Sequence, residues 1–127
     1  MSNVLRGATF RLPVVACLLM TTFASAEPIL SAKRLLDMYR DANAAQRQQL
    51  QLLAATFERG VGVANAFNKN EGRPAAVLYC SPGQIALQGD QLLNILQREI
   101  EDHPYLGEHG WEVVMVTALR NLFPCKP

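Results

Sequence analysis

The sequence predicts an all-α fold, a compact bundle of about four helices closed by one disulfide. Three observations carry that expectation. Apolar residues recur at steps of three and four along several segments, and no segment alternates with the period of a strand. Short stretches bearing proline and glycine separate the segments. Two cysteines, Cys80 and Cys125, bracket the last two helical segments.

The first helix starts after Ser31, whose hydroxyl can accept from a free amide in the first turn. Leu35, Leu36, Met38 and Tyr39 then follow at helical spacing. The second segment has the clearest period: Leu50, Leu53, Phe57, Val61, Ala64 and Phe67 make one continuous apolar stripe. Gln46, Arg47, Gln49, Glu58 and Arg59 lie largely off it. Gly60 and Gly62 weaken this helix by about 1 kcal/mol each relative to alanine, so a close approach by another backbone is expected at that point. The polar string from Asn68 to Pro74 ends the helix as a loop.

A short apolar stretch leads into Cys80-Ser81-Pro82-Gly83, a turn signature beside the first cysteine. The third helix begins near Gln88 to Asp90 and carries Leu92, Leu93, Leu96 and Ile100 on one face. It stops at His103-Pro104, because proline disfavours helical geometry in the residue before it. A loop from Tyr105 to Gly110 joins it to the fourth helix, whose buried candidates are Trp111, Val114, Met115, Ala118, Leu119 and Leu122. Phe123-Pro124-Cys125 terminates that helix, and a short tail follows.

The N-terminus reads as a secretory signal peptide. Arg6 and Arg11 supply a positive region, an apolar run spans Leu12 to Phe23, and Ala24-Ser25-Ala26 offers a cleavage site. Val14-Val15-Ala16-Cys17 loosely matches the box before a lipid-modified cysteine, but processing there would shorten the apolar run and leave Leu18-Leu19-Met20 where a polar tether belongs. Cleavage after residue 26 leaves a single domain, 27–127, with Cys80 and Cys125 as its cysteines. Export and an even cysteine count point to an oxidising compartment and one intramolecular bond. If the third and fourth helices form an antiparallel hairpin, the start of one lies beside the end of the other and the two sulfurs meet. Closing that loop of roughly 45 residues stabilises the fold by about 4 kcal/mol in the chain-entropy model.

The whole chain has 12 basic and 11 acidic residues; losing Arg6 and Arg11 leaves ten basic against eleven acidic, a net of −1. A near-neutral domain with no basic stripe argues against nucleic acid or anionic lipid as a partner. The apolar run is about half of the roughly 20 residues a membrane-spanning helix needs, so the exported domain is expected to be soluble. The chemistry-bearing residues form no familiar catalytic set. His103 and His109 make no metal-spaced pair, and no serine stands in a nucleophile elbow. There is no glycine-rich phosphate loop, and the cysteines are too distant for a redox Cys-x-x-Cys. His103 reads as a helix-terminal residue favoured by the dipole, and Glu99, Glu101 and Asp102 read as a solvated face. No enzyme, metal or cofactor is expected.

The order of Cys80-Ser81-Pro82, an amphipathic helix ending in Asp102-His103-Pro104, then Ala118-Leu119 and Phe123-Pro124-Cys125 resembles the Rap/Tai-type immunity proteins. The preceding Phe57-Glu58-Arg59-Gly60-Val61 is similar to that family's aromatic-x-x-Gly-Val segment, so the likeness covers roughly residues 54–125. The chain departs from the pattern at Val63-Ala64-Asn65, where many members carry an acidic residue, and at Tyr39, where a further cysteine is common. The resemblance implies a small periplasmic helical protein that blocks an amidase effector of type VI secretion.

On this reading a rigid helical body presents a loop that fills the enzyme's cleft. The candidate loops run from Asn68 to Arg73 and from Tyr105 to Gly110. They nominate Lys69, Asn70, Glu71, Arg73, Tyr105, Glu108 and His109 as partner-binding residues. The wide stripe on the second helix would also allow a homodimer. The alternative is an HdeA-like acid-stress chaperone, also small, exported, helical and bound by one disulfide, although a nearly balanced charge does not favour a switch driven by acidification. A periplasmic helical module with no toxin partner is the third reading.

Overall fold

In the computed structural model, which describes residues 29–81 and 86–126, the first three α-helices start where a side chain accepts from a free backbone amide. Ser31 Oγ accepts from Arg34 N at 3.3 Å and opens α1, Ala32–Asp41. Asn43 opens α2, Ala44–Asn70, with a reciprocal pair: Asn43 Oδ1 accepts from Gln46 N and Gln46 Oε1 accepts from Asn43 N, both at 3.0 Å. A short 3-10 turn, Pro74–Ala76, precedes an extended run through residues 77–81. Gln91 reaches back to Gln88 N at 2.9 Å as α3, Gly89–Asp102, begins. His103 caps the end of α3 and Pro104 starts a second 3-10 turn, Pro104–Glu108. Trp111–Leu122 forms α4.

The result is the expected all-α bundle with one disulfide, between Cys80 and Cys125. The expected signal peptide at 1–26, with Cys17 and the cleavage point, lies outside the described residues, as does the Pro82-Gly83 half of the turn. No described helix is long and apolar enough to cross a membrane.

The core is built from one face of each helix: Leu35 of α1, Ala54 of α2, Leu92, Leu93 and Leu96 of α3, and Trp111, Val114, Met115 and Leu119 of α4. Tyr79 enters it from the extended run. Trp111 meets Phe57 of α2 edge-on, with ring centroids 4.9 Å apart. The start of α1 is tied to the start of α4. Ala32 N donates to the His109 carbonyl at 2.9 Å and Trp111 N donates to the Leu30 carbonyl at 3.1 Å.

Several expectations change. Gly60 and Gly62 meet no neighbouring backbone; a Cβ at either position would point into open space. The close approach is at Gly89, where the start of α3 presses on the Gln51 backbone of α2. The stripe on α2 is not a core face throughout. Leu50, Phe57 and Val61 are half-buried, Ala64 is exposed, Leu53 and Phe67 are 42% and 57% exposed, and the apolar residue that α2 buries fully is Ala54, which is not part of the stripe. The crossing of α3 over α2 covers only one side of the stripe. Helix α2 also runs through Asn70, taking in three residues of the expected loop, and the expected loop after Pro104 is mostly 3-10 turn. Met38 and Leu122 are exposed, each on the outer side of its helix.

Candidate functional site

Among the described residues the extended run after the 3-10 turn at Pro74–Ala76 has no sheet to pair with, so its backbone polar groups need other partners. A row of side chains on α2 supplies them. Asn68 Nδ2 donates to the Ala76 carbonyl at 3.1 Å. Asn65 Oδ1 accepts from Leu78 N at 2.8 Å while its Nδ2 donates to the Tyr79 carbonyl at 3.0 Å. The Tyr79 hydroxyl donates to Glu58 Oε1 at 2.5 Å. Asn65 is only 6% exposed, and both ends of its amide are satisfied. Burial, followed by the hydrogen bond to Glu58 and its charge, pushes the Tyr79 hydroxyl above the ordinary tyrosine range.

On the other side the run is fastened to the end of α4. Cys80 N donates to the Phe123 carbonyl at 2.9 Å, and the disulfide joins Cys80 to Cys125 with Cα atoms 4.9 Å apart. The motif residues behind the family resemblance are thus structural. Cys80, Phe123 and Cys125 make the clamp, and His103-Pro104 ends α3. The His103 ring lies 3.4 Å from Glu99, which also accepts from Asn121 Nδ2 at 2.9 Å, so Glu99 is engaged rather than simply solvated.

What the clamp leaves outside is an apolar surface. Leu78, 44% exposed, closes a groove whose other walls are Leu53, Thr56, Phe57, Gly60, Val61 and Ala64 of α2. The same Leu78 lines a cleft of about 700 Å³ together with Pro74, Val77, Arg120, Pro124, Cys125 and Lys126.

All seven residues nominated from the sequence are exposed, and the structure places them in two separate groups. Lys69 and Asn70 form the last turn of α2, Glu71 caps it, and Gly72 takes a φ of 70° that lets the chain reverse. Arg73 then sits with its guanidinium 5.8 Å from the Phe67 ring centre, beside the apolar face. Tyr105 and Glu108 belong to the 3-10 turn Pro104–Glu108, which His109 follows. That turn packs on α1 and α3, and Tyr105, 68% exposed, meets the His103 ring edge-on. Among the described residues no hydrogen bond, ion pair or ring contact joins the two groups.

Asn65, Leu78, Arg120 and Lys126 were not foreseen as parts of a site. Asn65 had a usable signal: it falls four residues after Val61 on the helix side that turns inward, where a polar residue needs a partner. Among the described residues, no group of three or more histidines, cysteines or carboxylates is placed to hold a metal ion. No family model, curated protein or solved structure matches the chain.

Proposed function

We propose that this chain is a periplasmic immunity protein that binds and blocks a peptidoglycan amidase effector of type VI secretion. The observation that carries the reading is the exposed apolar face of α2 and Leu78, mounted on a body clamped by the Cys80–Cys125 bond. Contiguous apolar surface on a small domain marks a place where another protein docks. A backing fixed by a disulfide and by the Asn65 bonds loses little conformational entropy on association, which leaves more of the contact energy for affinity. Leu53, Val61, Phe67 and Leu78 form the apolar centre, and Lys69, Asn70, Glu71 and Arg73 supply a polar rim beside Phe67. The order of motifs from Phe57 to Cys125 supports the amidase as the partner class.

The test is a cell-wall hydrolysis assay with any amidase encoded beside this gene. Inhibition at equal molar amounts of the two proteins is the expected result. A chain that neither binds nor slows that enzyme overturns the proposal.

A further inference from the structure

We infer that the groove on α2 and the cleft beyond Leu78 form one docking track, and that its occupant is a partner helix whose apolar stripe runs into an acidic end. The inference rests on the protein-partner reading above and adds the surface and the chemistry of the segment that fits it.

Leu78 lines both depressions, so they adjoin. The groove's span on α2, from Leu53 to Ala64, is about 16 Å, or three turns of a helix. Apart from the Thr56 hydroxyl its side chains are hydrocarbon, and Gly60 leaves open space where a partner backbone can come close. This is the kind of surface on which an amphipathic helix lays its apolar face.

The cleft sets the charge of the occupant's end. Arg120 and Lys126 line it, and neither has a hydrogen-bond or ion-pair partner among the described residues. Among the described residues, no acidic one lines the groove or the cleft. Three half-buried carboxylates elsewhere on the body are already engaged, Asp37 by Arg40, Glu58 by Tyr79, and Glu99 by His103 and Asn121. A second copy of this chain offers the same uncharged groove and the same two cations, so an acidic partner complements the track better than self-association does.

The probe is a fluorescein-labelled peptide of about 18 residues, long enough for the groove plus the cleft. It carries leucine and alanine on one helical face, glutamine elsewhere and a glutamate-rich C-terminal end. Its control has lysines in place of the glutamates. Anisotropy is read with protein purified from cells expressing the full chain. The acidic peptide is expected to bind about tenfold tighter than the control, within what two exposed ion pairs supply. That preference should vanish in an Arg120→Glu/Lys126→Glu double variant, and Val61→Asp should weaken both peptides. Should a variant fail to keep the wild-type circular dichroism, the wild type at about 0.5 M salt replaces it, where screening erases the preference.

Equal binding of the two peptides, no binding of either, or a preference that survives charge reversal overturns the inference. So does sedimentation of the free protein as a dimer that Val61→Asp dissolves, since the groove would then be taken by a second copy. The two readings fail separately. A peptide that does not bind leaves amidase inhibition standing, and an amidase that is not inhibited leaves the peptide preference standing.

Discussion

Gly89 rests directly on the carbonyl of Gln51, so closely that a methyl group on Gly89 would overlap that peptide's backbone. The contact seats the first turn of α3 on α2, and neither backbone can withdraw without opening the layer formed by Leu92, Leu93 and Ala54. Replacing Gly89 with alanine is therefore expected to cost at least about 3 kcal/mol, the upper range for overpacking a rigid contact. Gly60→Ala meets no neighbour and should stabilise the helix by about 0.5–1 kcal/mol. Urea denaturation of the two variants checks both signs. Equal effects would show that α3 does not sit on α2 at this point.

Asn65 substitutes for the missing sheet partner of residues 78 and 79. Asn65→Ala leaves the Leu78 amide and the Tyr79 carbonyl without their bonds, at about 1–3 kcal/mol for each group left buried and unpaired. A loss of about 2–4 kcal/mol in thermal or denaturant unfolding is expected. A change within about 0.5 kcal/mol, typical of an exposed helix position, would contradict the role assigned to Asn65.

Tyr79→Phe removes the hydrogen bond to Glu58 and should cost about 1.5–3 kcal/mol at neutral pH, as for bonds to charged groups. The pH dependence follows from the direction of the shift. The Tyr79 hydroxyl is raised above its ordinary value of 10.0, so the unfolded chain loses this proton before the folded one does. The stabilisation from Tyr79 is fully present below about pH 10 and declines as pH rises above it. The stability gap between wild type and Tyr79→Phe should narrow above that pH. A gap that stays constant from neutral pH to pH 11 would argue against the buried bond.

Much of the fold was legible because local signals and global packing agree. Ser31 caps α1, Pro104 stops α3, and the cysteines bracket α3 and α4 as an antiparallel hairpin requires. The site was less legible. A period of three and four along α2 shows that Leu53, Phe57, Val61 and Ala64 share a face, yet only the position of α3 decides which edge of that face is covered. Glycines behave the same way. Gly60 and Gly89 look alike in the sequence, and the difference is a crossing partner contributed by a segment 38 residues away in the chain, Gln51 against Gly89. Arg120 and Lys126 come beside Leu78 through the disulfide and the Cys80–Phe123 backbone bond, which no single-helix pattern reports.

The disulfide joins the run carrying Tyr79 to the end of α4, so its removal frees two elements together. Cys125→Ser should cost about 2–5 kcal/mol and can abolish folding at 37 °C in a domain this small. Native exported protein should take up no alkylating reagent before reduction, and its mass should begin at Glu27. Two reactive thiols in the native protein would contradict the clamp.

Survival of intact cells tests most directly whether this chain protects against an amidase in the periplasm. Cells that express an amidase encoded beside this gene, with an export signal, should lyse alone and survive when they also make the full chain. They should lyse again when residues 1–26 are deleted, because the inhibitor then never meets the enzyme. Lysis in the presence of the full chain, or equal protection with and without residues 1–26, would contradict the account.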